Sequence, residues 1–312
     1  MMHIARWLGF AFVLLLVWEV LKGFRAYHRE VGAFRTSRGA VPVPDYGRGL
    51  GLIAVSFRSR DGTDIRGWYI PSRTGAAVVV CHGSEGDRRG MLGNARALAL
   101  GGFGVLLFDW PGHGESGGDV SFGAPQRVAL EGAIDFLTSR TDVDSARVGA
   151  LGFSMGGYTL AQVASADSRV KAVVLEGAFG DAIEQARAEY RRAAYGSRLG
   201  AILAVRGGMD VRDLRPIDVV GKIAPRPLVI VAGTADVIVP LELSRRLYDA
   251  AGNPKEFWII ENAEHGQYLR VDRTFSPRLR SFFGKALHVP EEAVEQSSKE
   301  NTFITLLPGS TP

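Results

Sequence analysis

Six short apolar runs constrain this chain more than any other feature. They are Ala76–Cys81 (AAVVVC), Val105–Phe108, Val148–Phe153, Val170–Leu175, Pro227–Ala232 and Glu256–Ile260. A run such as AAVVVC, with no polar residue alternating through it, predicts a strand buried on both faces. Between the runs lie stretches with helical spacing: Arg89–Leu100, then Gln126–Ser139 with Val128, Ala129, Ile134 and Leu137, a helix reaching Ala166, and Leu241–Ala251. A last helix is expected from Ser276-Pro277, serine capping and proline taking the first helical position. Strand and helix in alternation predict an α/β architecture, a mostly parallel sheet with helices on both faces. Ahead of it, Leu52–Arg58 and Ile65–Ile70 flank Arg60-Asp61-Gly62-Thr63, the signature of a hairpin.

The third run leads into Gly152-Phe153-Ser154-Met155-Gly156 and then into small residues that open a helix. Gly-x-Ser-x-Gly between a strand and a helix predicts a tight turn whose serine is strained and exposes its hydroxyl. A larger residue at 152 or 156 would press a Cβ against the neighbouring strand or helix. In open α/β sheets chemistry gathers at the carboxyl ends of the strands, so the following loops supply the candidates. They are Ser154, Asp236 in Gly233-Thr234-Ala235-Asp236, and His265 in Ala263-Glu264-His265-Gly266.

These residue types suit nucleophilic catalysis. A serine hydroxyl is a poor nucleophile at neutral pH, so His265 must accept its proton while Asp236 fixes the imidazole tautomer and steadies the imidazolium. The oxyanion needs two donors already in place, for which the backbone amides of Met155 and Ser84 are the candidates. Asp109 and Glu115 are alternative orienting acids but precede the elbow; His82 and His113 read as loop histidines bonded to backbone.

Through His82-Gly83, Gly112–Ser116 (GHGES), the GFSMG elbow, GTAD with Asp236 and the EHG turn with His265, residues 50–287 resemble an α/β-hydrolase fold serine hydrolase. The chain is most similar to the branch holding monoacylglycerol lipases, serine aminopeptidases and membrane-anchored hydrolases. The resemblance implies hydrolysis of an ester or thioester of a small-molecule or lipid-like acyl substrate through an acyl-enzyme, with no cofactor. A serine elbow argues against the dehalogenase and epoxide-hydrolase members. Two alternatives stay open: a serine aminopeptidase-like peptidase or amidase, with Glu176, Asp181, Glu184 or Glu189 binding the free amine, and a catalytically silent tethered scaffold. Gly177–Asp213, a helical insertion carrying Arg187, Arg191, Arg192, Arg198, Arg206 and Arg212, would form a small cap.

With 312 residues the chain has ample material for a core, and a net charge of +4 without a basic, aromatic-interleaved block gives no nucleic-acid footprint. The single cysteine, Cys81, excludes an internal disulfide, and no Cys/His cluster has zinc spacing, so no metal is expected. Residues 1–22 hold the uncharged stretch Trp7–Trp18; extended over Ile4–Leu21 it makes a helix of about 27 Å, close to the bilayer core. A single-pass anchor in a bacterial inner membrane is the expectation, with a cleaved signal segment and a packed helix as alternatives. Lys22, Arg25, Arg29, Arg35 and Arg38 on its carboxyl flank would keep the large domain cytoplasmic. Residues 23–49 read as a linker and 288–312 as a flexible tail.

Overall fold

The computed structural model describes residues 38–192, 215–295 and 297, with Trp7, Leu14, Leu15, Val17, Trp18 and Leu21 from the amino terminus. Eight strands form one sheet: β1 (Ile53–Arg58), β2 (Asp64–Ile70), β3 (Ala77–Cys81), β4 (Gly104–Phe108), β5 (Val148–Phe153), β6 (Val170–Glu176), β7 (Leu228–Gly233) and β8 (Lys255–Ile260). Their order is β1-β2-β4-β3-β5-β6-β7-β8. The expected hairpin pairs β1 with β2, and β2 with β4, antiparallel; every pairing from β4 to β8 is parallel.

The helices lie where amphipathic stretches separate the runs. They are α1 (Leu92–Leu100), α2 (Ala124–Thr138), α3 (Met155–Ala166), α4 (Ala182–Arg192), α5 (Pro216–Val219), α6 (Leu241–Ala250), α7 (Tyr268–Val271) and α8 (Phe275–Ala286). Within β3, Val79 and Cys81 join the core shared with α2 and α3, whereas Val78 and Val80 join the one shared with α1 and α8. A strand that feeds two cores has no place for a polar residue, which explains the unbroken run. Each such valine or leucine contributes about 1.5–3 kcal/mol on burial.

Two boundaries differ from the expectation. Leu92 begins α1 only after a 3₁₀ turn, Arg88–Met91, because the Asp87 side chain accepts the Arg89 amide at 2.9 Å and tightens the chain there. Ser276 does not cap α8: the helix begins one residue earlier at Phe275, whose ring is fully buried, and Asp272 Oδ1 accepts the Thr274 amide at 2.8 Å. Pro277 then falls within the first turn, where a missing N–H costs nothing.

Residues 38–49 are not a free tether. Val41 is buried, Gly39 N donates to Gly114 O at 2.9 Å and Arg38 Nη2 to Gly118 O at 3.1 Å. The stretch expected to be a loose tail begins packed, with Val289 and Ser297 buried. Apart from its six described residues, the expected anchor lies outside the described residues, as do 23–37, 193–213 of the cap, and 214, 296 and 298–312. Among the described residues no helix is long and apolar enough to cross a membrane.

Candidate active site

Ser154 stands between β5 and α3 with φ +54° and ψ −117°, a conformation that costs a non-glycine residue about 1–3 kcal/mol. Its amide donates to Glu176 O at 2.8 Å and its carbonyl accepts Tyr158 N at 3.0 Å, so the strained residue is tied to β6 on one side and to the first turn of α3 on the other. The flanking glycines are required by space. A Cβ at Gly152 would meet Gly156 O at 2.5 Å, and one at Gly156 would meet Cys81 O and His82 O at 2.6 Å.

Asp236 leaves the end of β7 and is 6% exposed. Its Oδ1 accepts the amides of Ile238 and Val239 at 2.9 and 2.8 Å, and its Oδ2 accepts His265 Nδ1 at 2.7 Å. Two amides thus fix the carboxylate and the carboxylate fixes the ring, leaving Nε2 as the basic nitrogen. The His265 ring lies 4.6 Å, centroid to centroid, from Phe153, the residue before the serine. Among the described residues Ser154 Oγ and His265 are not joined by a hydrogen bond.

Gly83 borders the nucleophile: a Cβ there would lie 3.3 Å from Ser154 Cβ. Ser84 follows it, and Met155 opens α3, where the first amides of a helix have no intrahelical acceptor. The alternative acids are committed elsewhere. Asp109 is fully buried, accepts Arg88 N at 2.9 Å and Glu115 N at 3.0 Å, and is paired with the Arg88 guanidinium, which also binds Glu115 and stacks 4.4 Å over Trp68. Burial raises the Asp109 carboxyl above its ordinary range, against the pull of Arg88.

Two residues near the site gave no signal of their role in the sequence. Tyr268 directs its hydroxyl at Asp236 Oδ2, 3.4 Å away, and burial raises its phenol far above the ordinary value. Glu176, at the end of β6, is buried; burial pushes its carboxyl up to about 8 although Asn94 Nδ2 donates to Oε1 at 2.6 Å. Of the four candidate carboxylates for an amine subsite, Asp181 pairs with Arg215 at 2.9 Å and Glu184 with Arg246 at 2.7 Å, and the side chain of Glu189 lies outside what the structure describes. Glu176 is protonated near neutral pH. Arg215, just beyond the insertion, is further bound to Asp218 at 2.7 Å.

Residues 76–199 match the family model described as alpha/beta hydrolase fold. The uncharacterized protein YfhR of Escherichia coli is 28% identical over 224 residues, covering 68% of this chain and 72% of that protein. The uncharacterized protein Rv2307c of Mycobacterium tuberculosis is 32% identical over 235 residues, covering 73% and 78%. The fold is similar to that of the Pyrococcus furiosus esterase Pf2001, with a TM-score of 0.68 at 20% identity over 80% of this chain and 98% of that one. On these grounds, and with the sheet order described above, the chain belongs to the alpha/beta hydrolase fold family.

Proposed function

We propose that the chain is a serine hydrolase cleaving an ester or thioester of an acyl substrate through an acyl-enzyme, with Ser154 as nucleophile, His265 as general base and acid, and Asp236 orienting it. The observation that carries this reading is the 2.7 Å contact of Asp236 with His265 Nδ1, on a carboxylate already held by two amides and beside a serine at φ +54°. His265 Nε2 takes the proton from Ser154 Oγ as the oxygen attacks the acyl carbon. Negative charge moves to the former carbonyl oxygen, where the Met155 and Ser84 amides receive it; one such donor is worth about 10²–10³ in rate. The leaving alcohol or thiol takes the proton back from His265, and water then repeats the sequence in reverse to release the acid.

An acyl substrate suits the surroundings. Tyr158, Phe179, Ala182 and Val239 form an apolar cluster around the amino-terminal part of α3, with Phe122, Ile238 and Leu243 against it. An aminopeptidase-like reaction would need a free carboxylate for the substrate amine; Asp181 and Glu184 are paired with arginines and burial disfavours the charged form of Glu176, while the side chain of Glu189 lies outside what the structure describes. Residues 4–21, with the uncharged stretch 7–18 at their centre, are proposed as a single-pass anchor; the chain reaches the domain at Arg38 and Gly39 on the loop after β4, at the same end of the sheet as Ser154.

Turnover of short-chain p-nitrophenyl esters, set against aminoacyl p-nitroanilides, tests the reading. Ester turnover by the native protein, abolished in Ser154→Ala at unchanged thermal stability, is expected. Ester turnover that survives in Ser154→Ala, or turnover of the anilides alone, would refute it.

A further inference from the structure

The loop carrying Ser84 is gripped by two buried histidines that proton transfer does not use. The Trp110 amide donates to His82 Nε2 at 3.2 Å, which puts the His82 hydrogen on Nδ1, 2.7 Å from the Gly83 carbonyl. Burial, with the neighbouring His113 adding to it, lowers His82 to about 3, so this ring stays neutral. The Gly83 carbonyl and the Ser84 amide share one trans peptide plane and point in opposite directions, so holding the first aims the second.

His113 acts on the next plane. It is fully buried in the loop after β4, its ring centroid 5.4 Å from that of His82. Its Nε2 lies 3.0 Å from the Ser84 carbonyl and its Nδ1 3.1 Å from Pro111 O. Two residues beyond Ser84 the chain turns at Gly86 with φ +92°.

We propose that His113 is a positioning residue of the hydrolytic site: Nε2–H donates to the Ser84 carbonyl and, with His82 on Gly83, holds both peptide planes at Ser84 so that its amide faces the oxyanion on the Ser154 adduct. The inference rests on the proposed function, since it gives the Ser84 amide its purpose. An oxyanion donor stabilises the transition state only if it is in place before charge develops; a donor that must first swing into position gives up part of that stabilisation. The loss falls on kcat and leaves KM nearly untouched, because the ground-state carbonyl draws little on the donor.

Three variants test the role: His113→Gln, whose amide nitrogen reaches the place of Nε2, His113→Asn, whose amide stops at the place of Nδ1, and His113→Leu, which has no donor. For p-nitrophenyl acetate the expected result is kcat lowered about tenfold or more in the leucine and asparagine variants, KM within about twofold of native, and most of kcat restored by glutamine. If the leucine variant does not fold, asparagine against glutamine carries the comparison. Equal kcat in asparagine and glutamine variants, or a loss in which KM rises and kcat holds, would overturn the role. Ser154→Ala is run alongside: turnover that survives there defeats the hydrolase reading, whereas turnover lost there with native kcat in His113→Asn defeats the brace alone.

Discussion

Replacing Glu176 with glutamine should change how stability depends on pH. The carboxyl is buried at the end of β6, next to the strand that delivers Ser154, and burial moves its titration from 4.5 to about 8. Because the folded value lies above the unfolded one, the stabilisation is fully present below pH 4.5 and is lost as pH rises towards 8. In that window the unfolded chain releases the proton while the folded chain keeps it. Each pH unit removes about 1.36 kcal/mol, so the interval from 4.5 to about 8 is worth roughly 5 kcal/mol and the accessible part, pH 5 to 8, roughly 4. Glutamine keeps an oxygen for Asn94 Nδ2 and does not ionise; its extra amide hydrogens add an offset of about 1–3 kcal/mol that is the same at every pH. Urea unfolding of both proteins at pH 5, 6, 7 and 8 is the assay. The stability of the variant relative to native should climb across the series by several kcal/mol, and two parallel curves would refute the reasoning.

Asp236→Asn keeps an acceptor for the Ile238 and Val239 amides but offers His265 the wrong tautomer, so kcat should fall about 10⁴-fold with little change in thermal midpoint; steady-state kinetics with differential scanning calorimetry check this, and a loss below tenfold would remove Asp236 from its role. Gly177→Ala sets a Cβ 2.6 Å from the Tyr268 hydroxyl and 3.0 Å from His265 Cε1 at a residue with φ +53°. It should cost about 1–3 kcal/mol in chemical denaturation and lower kcat as well, with part of kcat recovered when Tyr268→Phe is added; native kinetics in the single variant would contradict the packing around the histidine.

The strands were readable to within a residue because burial on both faces leaves a run such as Ala77–Cys81 one role to play. The contact between Asp236 and His265 was readable for a related reason: the two residues follow β7 and β8, and neighbouring parallel strands carry the loops after them to one end of the sheet. What stayed hidden depends on contacts between residues far apart in the chain. Ser276-Pro277 imitates a helix start, and only the burial of Phe275 shows why the helix begins before it. Arg38 and Gly39 look like linker until they bond to Gly118 and Gly114. Tyr268 carries no local pattern, and although His113 reads as a loop histidine bonded to backbone, neither its partner Ser84 nor the partner of Glu176, Asn94, is legible from the chain.

The central claim is that Ser154 is a nucleophile activated by His265. Intact-protein mass spectrometry after treatment with diisopropyl fluorophosphate, followed by peptide mapping, measures it most directly. One covalent adduct on the peptide containing Ser154, formed quickly in the native protein and at least about 10³-fold more slowly in His265→Ala, is the predicted result. Folded native protein that takes no adduct, or takes it at another residue, would contradict the account.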